Sequence, residues 1–265
     1  ERIYFLPFEK NKTFRFAFSP AVSGVDISIH KAVVDADVIH LHWFNQGFLS
    51  LDSLKKLIAT RKPIVFTLHD MWGFTGGCHY AGDCERYKEQ CGNCFYLKRP
   101  NWNDLSFRGQ KKKSLIYSNA NLTIVTCSNW LGSKARESSL LKDKKILTIP
   151  NSIDINYYDQ SQKDPIRKKL KLPLGKTLVL FGAANLSDAR KGLRYFVDSL
   201  SFVDLDIELV VFGKNSHLAL SHDKYKVYDF GLISSSELMK ELYQATDIFI
   251  LPSLQDNLPN TVMES

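Results

Sequence analysis

The 265-residue sequence predicts an α/β fold made of two domains, each with a parallel sheet covered by helices on both faces. First, short apolar runs alternate with segments of helical periodicity along the chain, as in consecutive β-α-β units. Second, the apolar runs are rich in β-branched residues and lack strict alternation, which is typical of strands buried within a sheet. Third, the alternation stops at a polar segment, 156–171, and then begins again. We therefore expect two doubly wound domains with a cleft between them.

In the first half, the pattern predicts strands at 37–42, 63–68, 122–126 and 145–149. A helix is predicted near 51–60, and two further helices flank the third strand. A long irregular insertion, about 72–104, separates the second strand from the helix before the third. These elements predict a first domain over residues 1–152.

In the second half, strands are predicted at 177–182, 207–213, near 226–230, and at 247–251. Helices are predicted at 192–200 and 236–245. We interpret residues 153–171 as a linker and 172–265 as the second domain.

The overall composition suits a globular protein. Hydrophobic residues make up 44% of the chain, and the apolar runs are too short to span a membrane. The net charge of +7 would attract nucleic acid, an anionic membrane or a phosphorylated ligand through the same long-range field. The lysines at 111–113 and 142–145 are predicted on helix or turn surfaces, either simply solvated or attracting an anionic membrane.

Two nucleotide-binding classes are excluded by missing glycines. Gly175-Lys-Thr177 resembles the end of a phosphate-binding P-loop, but Leu170 stands where the first glycine is required. No G-x-G-x-x-G occurs in the sequence. The P-loop kinase and dinucleotide oxidoreductase interpretations therefore lose their main support.

Two carboxylates, Asp256 and Glu264, flank a Pro/Asn turn directly after the last predicted strand. Because Pro259 interrupts the path, we expect Asp256 in a loop and Glu264 in the first turns of a helix, both pointing into the cleft. Carboxylates there can accept hydrogen bonds from the hydroxyls of a ribose or hexose. The alternative is an ordinary loop aspartate and a glutamate favoured near a helix N-terminus.

Arg190 and Lys191 follow the predicted strand 177–182, at the amino end of a helix. Cations there oppose the helix dipole unless an anion such as diphosphate binds beside them; the alternative is a solvated turn. Open parallel sheets bind ligands at the carboxyl ends of their strands. Cations at one such loop and carboxylates at another therefore predict a site for a nucleotide sugar.

Histidines mark the ends of two strands in the first half. His69 ends the strand 63–68, where its ring could bond a sugar hydroxyl or a leaving group; the alternative is a buried histidine bonded to a carbonyl. His40 and His42 alternate, so both should lie on one face of the sheet. We favour His42 as the cleft residue because it is nearer the loop.

Four cysteines of the insertion have the spacing C-x5-C-x6-C-x2-C; they are Cys78, Cys84, Cys91 and Cys94. The Cys91–Cys94 pair has the spacing of half a tetrahedral zinc site, and His79 stands nearby as a spare ligand. A structural zinc, reduced thiols and disulfides are the alternatives. Cys127 ends a strand and is predicted to lie in the core.

Taken together, these segments resemble the group 1 glycosyltransferases, family 4 of the GT-B fold, especially bacterial members that act in surface polysaccharide assembly. The matching segments are 37–43, 67–72, 74–80, 126–130, 149–154, the Lys191-Gly192 turn and 252–264. The resemblance implies two Rossmann-like domains, both incomplete in this chain, so we expect it to turn over poorly as given. It also implies a cytoplasmic enzyme, with peripheral contact at the inner face of the plasma membrane.

The resemblance implies a retaining transfer from a nucleotide-diphosphate sugar to a glycan or lipid-linked acceptor, with no cofactor required for the chemistry. Glu264 matches the second glutamate of the family's E-x7-E motif, on the ribose, and Asp256 the first, near the hexose. Lys191 matches the lysine on the diphosphate, and Arg190 substitutes for a missing arginine. His69 matches a histidine near the reacting carbon. The remaining site predictions are Asn257 on the donor side and His42, Trp43 and Asn45 on the acceptor side.

Two rival functions remain open at this point. A GT-B protein whose catalysis has decayed would bind sugar without transferring it. A nucleic-acid-binding module would use the cysteines as a zinc knuckle and basic helices on phosphate, but Phe181 and Phe249 lie inside strand runs where we expect core residues. We therefore predict no nucleic-acid partner.

Overall fold

The computed structural model describes residues 1–118, 120–158, 163–216 and 224–265. The chain divides into two compact units, Glu1–Pro150 and Asn151–Ser265, and each contains a four-stranded parallel sheet. The predicted α/β class is confirmed. In the described part of the chain, no helix is both long and apolar enough to cross a membrane.

The sheet of the first unit follows the order of the chain, β1-β2-β3-β4. Its strands are β1 (Ile39–Leu41), β2 (Ile64–Leu68), β3 (Leu122–Thr126) and β4 (Lys145–Thr148), all parallel. The two runs richest in β-branched residues form the central strands β2 and β3, as expected of strands buried on both faces. The edge strand β4 is more exposed.

The described helices of the first unit are α1 (Arg2–Phe5), α2 (Lys31–Asp35), α3 (Leu51–Ala59), α4 (Leu105–Tyr117) and α5 (Asn129–Glu137). All but α1 begin where a side chain caps their free amides. Ser50, Asp104 and Ser128 accept hydrogen bonds from first-turn amides of α3, α4 and α5. Along α3, apolar residues at helical spacing face the core: Leu51, Leu54 and Leu57.

Helix α4 holds the irregular insertion in place through buried polar side chains. The Asp104 carboxylate accepts a hydrogen bond from the Cys94 amide at 2.8 Å, and the Gln110 side chain accepts one from the Cys91 amide. Lys113 is 1% exposed and donates to the carbonyls of Trp72 and Thr75. These bonds satisfy loop backbone groups that would otherwise be buried without partners.

The position of Lys113 corrects the prediction that the lysines at 111–113 share a solvated surface. Its ammonium lies 3.4 Å from the centroid of the Trp72 ring. Burial lowers the pKa of Lys113 to about 7, against the smaller opposing effects of Cys78, Cys91 and Asp70. Lys112, one residue earlier, is at the surface and pairs with Asp52 at 2.7 Å.

The sheet of the second unit has the order β7-β6-β5-β8, so the strand order reverses at β5. Its strands are β5 (Thr177–Asn185), β6 (Ile207–Lys214), β7 (Val227–Asp229) and β8 (Ile248–Ile250). The described helices of this unit are α6 (Lys163–Lys169), α7 (Leu193–Leu200), α8 (Ser236–Ala245) and α9 (Asn260–Glu264). This strand order is that of a Rossmann-like half, with a topological switch point between β5 and β8.

Both faces of the second sheet are covered, because alternate residues of β5 and β6 join different cores. On one face, Phe181 and Val211 pack with residues of α7 such as Phe196. On the other face, Leu180 and Val210 belong to the core that includes Leu242 of α8. This explains why the strands are apolar at successive positions.

The predicted linker, 153–171, is only partly a linker. Its residues 163–169 form α6, which packs against α8. Arg167 of α6 is buried, and its guanidinium donates to Asp247 Oδ2 at 2.7 Å and to the carbonyl of Ala245 at 2.7 Å. The guanidinium of a buried arginine thus helps to attach this charge-rich helix to the second unit.

Candidate functional site

In the second unit, the loops that follow β5 and β8 meet beside the switch point. The first loop contains the 3₁₀ turn Ala189–Lys191. Lys191 forms an ion pair with the Asp256 carboxylate, and Arg190 Nη1 lies 3.4 Å from Asp256 Oδ1. Arg190 also pairs with Asp188 at 3.0 Å. The structure therefore brings together three of the predicted site residues: two cations and the loop aspartate.

Backbone contacts lock these two loops together. The Leu254 amide donates to the carbonyl of Arg190 at 2.8 Å, and Arg190 Nη1 donates to the carbonyl of Gln255 at 2.8 Å. Gly192 adopts a left-handed conformation with φ of 77°, and a Cβ there would lie 2.0 Å from the Pro252 carbonyl oxygen. Only glycine fits this close approach without strain.

Asp256 is the centre of this cluster. Its carboxylate accepts hydrogen bonds from Ser253 Oγ at 3.4 Å and from the Asn257 amide at 3.1 Å, besides the two cations. The Asn257 residue is itself buried. Arg190 and Lys191 face the carboxylates of Asp188 and Asp256, so the charges are compensated. An incoming anion would find cations that are already positioned by the carboxylates of Asp188 and Asp256.

Glu264 lies at the end of α9, and its hydrogen bonds are made outside this cluster. Its carboxylate accepts a hydrogen bond from the Tyr243 hydroxyl at 3.2 Å. Burial, and then the Glu264 charge, raise the pKa of Tyr243 above its ordinary value, so the phenol remains a donor. The helix begins at Asn260, so Glu264 lies within its first turns, as predicted. The structure shows Glu264 against Tyr243 and does not bring it onto Lys191.

In the first unit, a cluster of imidazoles forms where β1 and β2 end. His42 Nδ1 and His69 Nε2 are 3.0 Å apart, and the His40 and His42 ring centroids are 4.2 Å apart. His40 also bonds Thr67 Oγ1 at 2.8 Å. Desolvation, and then His42, lower the pKa of His69 below its ordinary value. A neutral His69 can therefore either donate or accept a hydrogen bond.

A buried hydrogen-bond chain lies beside this cluster and fixes Trp43. His79 Nδ1 is 2.7 Å from Asp70 Oδ2, and His79 Nε2 is 2.9 Å from Ser19 Oγ. The same Asp70 oxygen accepts from Trp43 Nε1 at 3.0 Å, while the other accepts from the Trp72 amide at 2.7 Å. Both ring nitrogens of His79 are thus engaged in hydrogen bonds, which corrects its prediction as a spare metal ligand. Trp43 is held with 46% of its surface exposed.

Asn45 contributes a buried polar atom to the same region. Among the described residues, Asn45 Oδ1 has no hydrogen-bond partner although it is shielded from solvent. It lines a small cavity of about 10 Å³ with Trp43, His69 and Asp70. That volume suits one water molecule or one ligand hydroxyl. A donor placed there would satisfy the Asn45 oxygen.

The four cysteines predicted to hold zinc lie in or against the buried clusters of the first unit. Across residues 1–118, 120–158, 163–216 and 224–265, no group of three His, Cys, Asp or Glu side chains is arranged to hold a metal. All five cysteines are free thiols. Burial raises the pKa of Cys91 to about 11 and that of Cys94 to about 12, with smaller raising effects from the neighbouring cysteines. A structural zinc at these cysteines stays a prediction.

Sequence reasoning missed part of this site. Ser19 carried no signal, because it is 60 residues away from His79 and follows no strand. Asp70 could have been found from its place after β2, directly beyond His69. Ser253 could also have been found, since it lies in the loop after β8.

Comparison with known families agrees with this architecture. The profile of glycosyltransferase family 4 matches residues 1–157, and that of the group 1 glycosyl transferases matches residues 175–265. The chain belongs to glycosyltransferase family 4. Its fold is of the GT-B type, with a Rossmann-like sheet in each unit.

Two curated relatives differ in how much of them the chain covers. Glycogen synthase from Mycoplasma mobile is 25% identical over 295 residues, which cover 96% of this chain and 60% of that protein. The putative colanic acid biosynthesis glycosyl transferase WcaC from Escherichia coli K12 is 35% identical over 63 residues, 22% of this chain and 16% of WcaC.

Solved structures share the fold at low identity. Sucrose-phosphate synthase from Thermosynechococcus elongatus has a TM-score of 0.57 at 15% identity, covering 86% of this chain and 53% of its own. A glycosyltransferase from Rickettsia africae has a TM-score of 0.58 at 16% identity, covering 90% and 57%. HepE from Anabaena, in complex with UDP and glucose, has a TM-score of 0.55 at 15% identity, and the match covers 88% of this chain and 58% of HepE. The chain thus spans between half and two thirds of each of these structures.

Proposed function

We propose that this chain belongs to an enzyme that transfers a sugar from a nucleotide-diphosphate donor to a glycan or lipid-linked acceptor, with retention of configuration, in polysaccharide synthesis. The observation that carries this proposal is the meeting of the Arg190-Lys191 turn with the Asp256 loop at the switch point of the second sheet. Ligands of open α/β sheets bind at such points.

In this proposal, Arg190 and Lys191 bind the diphosphate. Their side chains are half-buried and already positioned by Asp256 and by the carbonyl of Gln255, so little ordering is required when an anion arrives. The same cations would stabilise the negative charge that develops on the departing nucleotide. Since they provide this stabilisation, the chemistry does not call for a divalent metal. When the diphosphate replaces Asp256 as the partner of Lys191, the Asp256 carboxylate can accept hydrogen bonds from hydroxyls of the donor sugar.

Glu264 is proposed to accept hydrogen bonds from the ribose, while Asn257 supports the donor loop. The Tyr243 hydroxyl occupies one Glu264 oxygen and fixes the orientation of the carboxylate. Tyr158 also bonds this carboxylate, whose remaining lone pairs can accept a hydrogen bond from a ribose hydroxyl. The backbone amide of Asn257 already donates a hydrogen bond to Asp256 Oδ1.

On the first unit, we propose that His69 contacts the donor sugar and that His42, Trp43 and Asn45 contact the acceptor. This region has paired imidazoles, an exposed indole and a buried amide oxygen, which are groups suited to hydroxyls and to the apolar face of a sugar ring. The lowered pKa of His69 keeps it uncharged near neutral pH.

The relatives support the donor and the pathway class. HepE was crystallised with UDP and glucose, and the two curated relatives are named for glycogen and for colanic acid. We propose that the protein is cytoplasmic and touches an anionic membrane peripherally, where its net charge of +7 would attract it.

Calorimetric titration of UDP-glucose into the chain tests the proposed ribose contact. Glu264→Ala should weaken binding about tenfold or more, because hydrogen bonds to charged groups contribute roughly 1.5–3 kcal/mol. Glu237→Ala is the matched control, since Glu237 also accepts from a tyrosine, Tyr157, at 3.3 Å in the same unit. Equal affinity in both variants would remove Glu264 from the ribose role. Release of UDP in the presence of an acceptor separates transfer from binding alone.

A further inference from the structure

A second cavity in the first unit, of about 480 Å³, lies between the N-terminal segment and the start of α4. None of the residues at the ends of β1 and β2 contributes to its lining. One group of lining residues is apolar: Pro7, Phe8, Leu97 and Leu105. The other group is basic: Lys98, Arg99 and Arg108. The cavity therefore combines an apolar wall with a cationic one.

Backbone hydrogen bonds join the two segments that line one side of this cavity. The Lys98 amide donates to the Phe8 carbonyl at 2.8 Å, and the Lys10 amide donates to the Tyr96 carbonyl at 3.0 Å. Glu9 and Leu97 form an antiparallel bridge between these bonds. Beneath them, Phe5 and Leu97 belong to a small buried core. The cavity is thus a feature of paired backbone segments.

The charge at the mouth of the cavity is positive. In the described part of the chain, Lys98, Arg99 and Arg108 make no ion pair with an acidic residue. The acidic lining residue, Asp104, is 5% exposed, and its carboxylate oxygens accept hydrogen bonds from the amides of Cys94 and of the first turn of α4. The helix amides are therefore already capped, and the basic side chains carry the attraction for an anion.

Exposed aromatic side chains lie close to the cavity. Phe8 forms part of the wall, and its ring centroid is 5.5 Å from that of Tyr4. Trp102, next in the chain to the lining residue Asn101, is 71% exposed. Indole and phenol rings beside Lys and Arg are typical of protein surfaces that sit at the headgroup level of a membrane.

We propose that this cavity binds the phosphate of an anionic membrane lipid. The cations match the phosphate, the apolar wall matches the glycerol and first methylene groups, and the aromatic side chains enter the interface. The proposal rests on the membrane contact proposed above and is independent of sugar transfer. It replaces the lysines at 111–113 as the membrane site, because Lys112 is paired with Asp52 and Lys113 is buried.

Vesicle flotation tests the membrane partner. The chain is mixed with phosphatidylcholine vesicles, with phosphatidylcholine vesicles containing phosphatidic acid, and with vesicles in which oleate supplies the same surface charge. We expect binding to the phosphatidic acid vesicles above both others. The double variant Arg99→Ala/Arg108→Ala should lower that binding roughly thirty-fold, because each cation near an anionic surface contributes about a factor of five. Trp102→Ala should lower it further.

The matched control is Lys142→Ala/Lys145→Ala, which removes two exposed cations elsewhere on the same unit. Equal losses in both double variants would overturn the proposal in favour of general charge attraction, as would equal binding to oleate vesicles. Titration with a short-chain phosphatidic acid and with inorganic phosphate separates the sources. Binding of the short-chain lipid alone supports the cavity even if vesicles fail. Binding of neither overturns it, and the donor titration with UDP-glucose is unaffected by either result.

Discussion

The loops at the ends of β1 and β2 differ from those at the ends of β5 and β8 in how they prepare a binding site. The first region holds a cluster of imidazoles and a buried hydrogen-bond chain that positions one exposed indole, Trp43. The second holds opposite charges in contact, Lys191 and Arg190 against Asp256. One region is suited to hydroxyls and ring faces, and the other to an anion that can exchange with a carboxylate.

Sheet order explains this difference. In the second unit the order reverses between β5 and β8, so two loops far apart in sequence lie side by side and can pair their charges. In the first unit the described strands follow chain order, and the polar groups are assembled by the insertion, which returns His79 to Asp70. The comparison predicts that the first region depends on buried hydrogen bonds and the second on a tight backbone approach.

The largest effect is expected from Asp70→Ala in the first region. Removal of this carboxylate leaves the His79 ring and the Trp72 amide buried without their acceptor, at a cost of about 4 kcal/mol in the free energy of unfolding. Trp43 also loses its anchor. Urea unfolding measures the change, with the exposed Asp83→Ala as control. A loss of unfolding free energy below about 1 kcal/mol would show that these buried hydrogen bonds are not required for stability.

A somewhat smaller effect is expected from Gly192→Ala in the second region. The added Cβ would meet the Pro252 carbonyl oxygen at 2.0 Å on a backbone with φ of 77°. Strain and overlap together should cost roughly 3 kcal/mol and separate the two loops, so that UDP-glucose binding is lost. Gly175→Ala is the control, because a Cβ there has no atom within 4 Å. Unchanged UDP-glucose affinity in Gly192→Ala would contradict the locked-loop description.

A pH-dependent effect is expected from Lys113, which supports the first region from behind. Its pKa is lowered to about 7 in the folded protein, whereas the unfolded side chain has the ordinary value of 10.5. Between these values the unfolded chain binds more protons, so the free energy of unfolding should rise with pH by about 1.4 kcal/mol per unit. Thiols, with an ordinary pKa of 9.0, complicate the upper part of this window.

Unfolding curves between neutrality and the onset of thiol ionisation measure this slope. Lys113→Met should remove it while filling a similar volume, and Lys112→Met, on the exposed side of α4, should leave it unchanged. The same slope in Lys113→Met as in the unaltered chain would assign the pH dependence to another group.

The fold was largely predictable because its signals are local. The central strand Leu122–Thr126 and the helix Ser236–Ala245 were predicted with their observed bounds, since β-branched runs and a serine cap mark them directly. The polar helix α6 was not, because its attachment depends on tertiary contacts such as those of the buried Arg167. Local propensity does not reveal such a tertiary contact.

The candidate site was predictable only where its residues follow strands. Arg190, Lys191 and Asp256 were found in this way, and the structure places them together. The Asp70–His79–Ser19 chain was not found, because it joins residues 9 and 60 positions apart. Cysteine spacing indicated a metal, but spacing alone does not determine the geometry in which the thiols meet, and among the described residues no group of three His, Cys, Asp or Glu side chains is arranged to hold one.

The affinities of UDP and uridine for the chain, compared between the unaltered protein and Lys191→Ala, test the central claim most directly. We predict that UDP binding falls about tenfold or more, because a charge-assisted bond is lost and the Asp256 charge is left facing the diphosphate, while uridine binding is unchanged. Arg194→Ala, on the exposed face of α7, should alter neither. Equal losses for UDP and uridine in Lys191→Ala, or the same loss of UDP affinity in Arg194→Ala, would contradict a diphosphate site at the switch point.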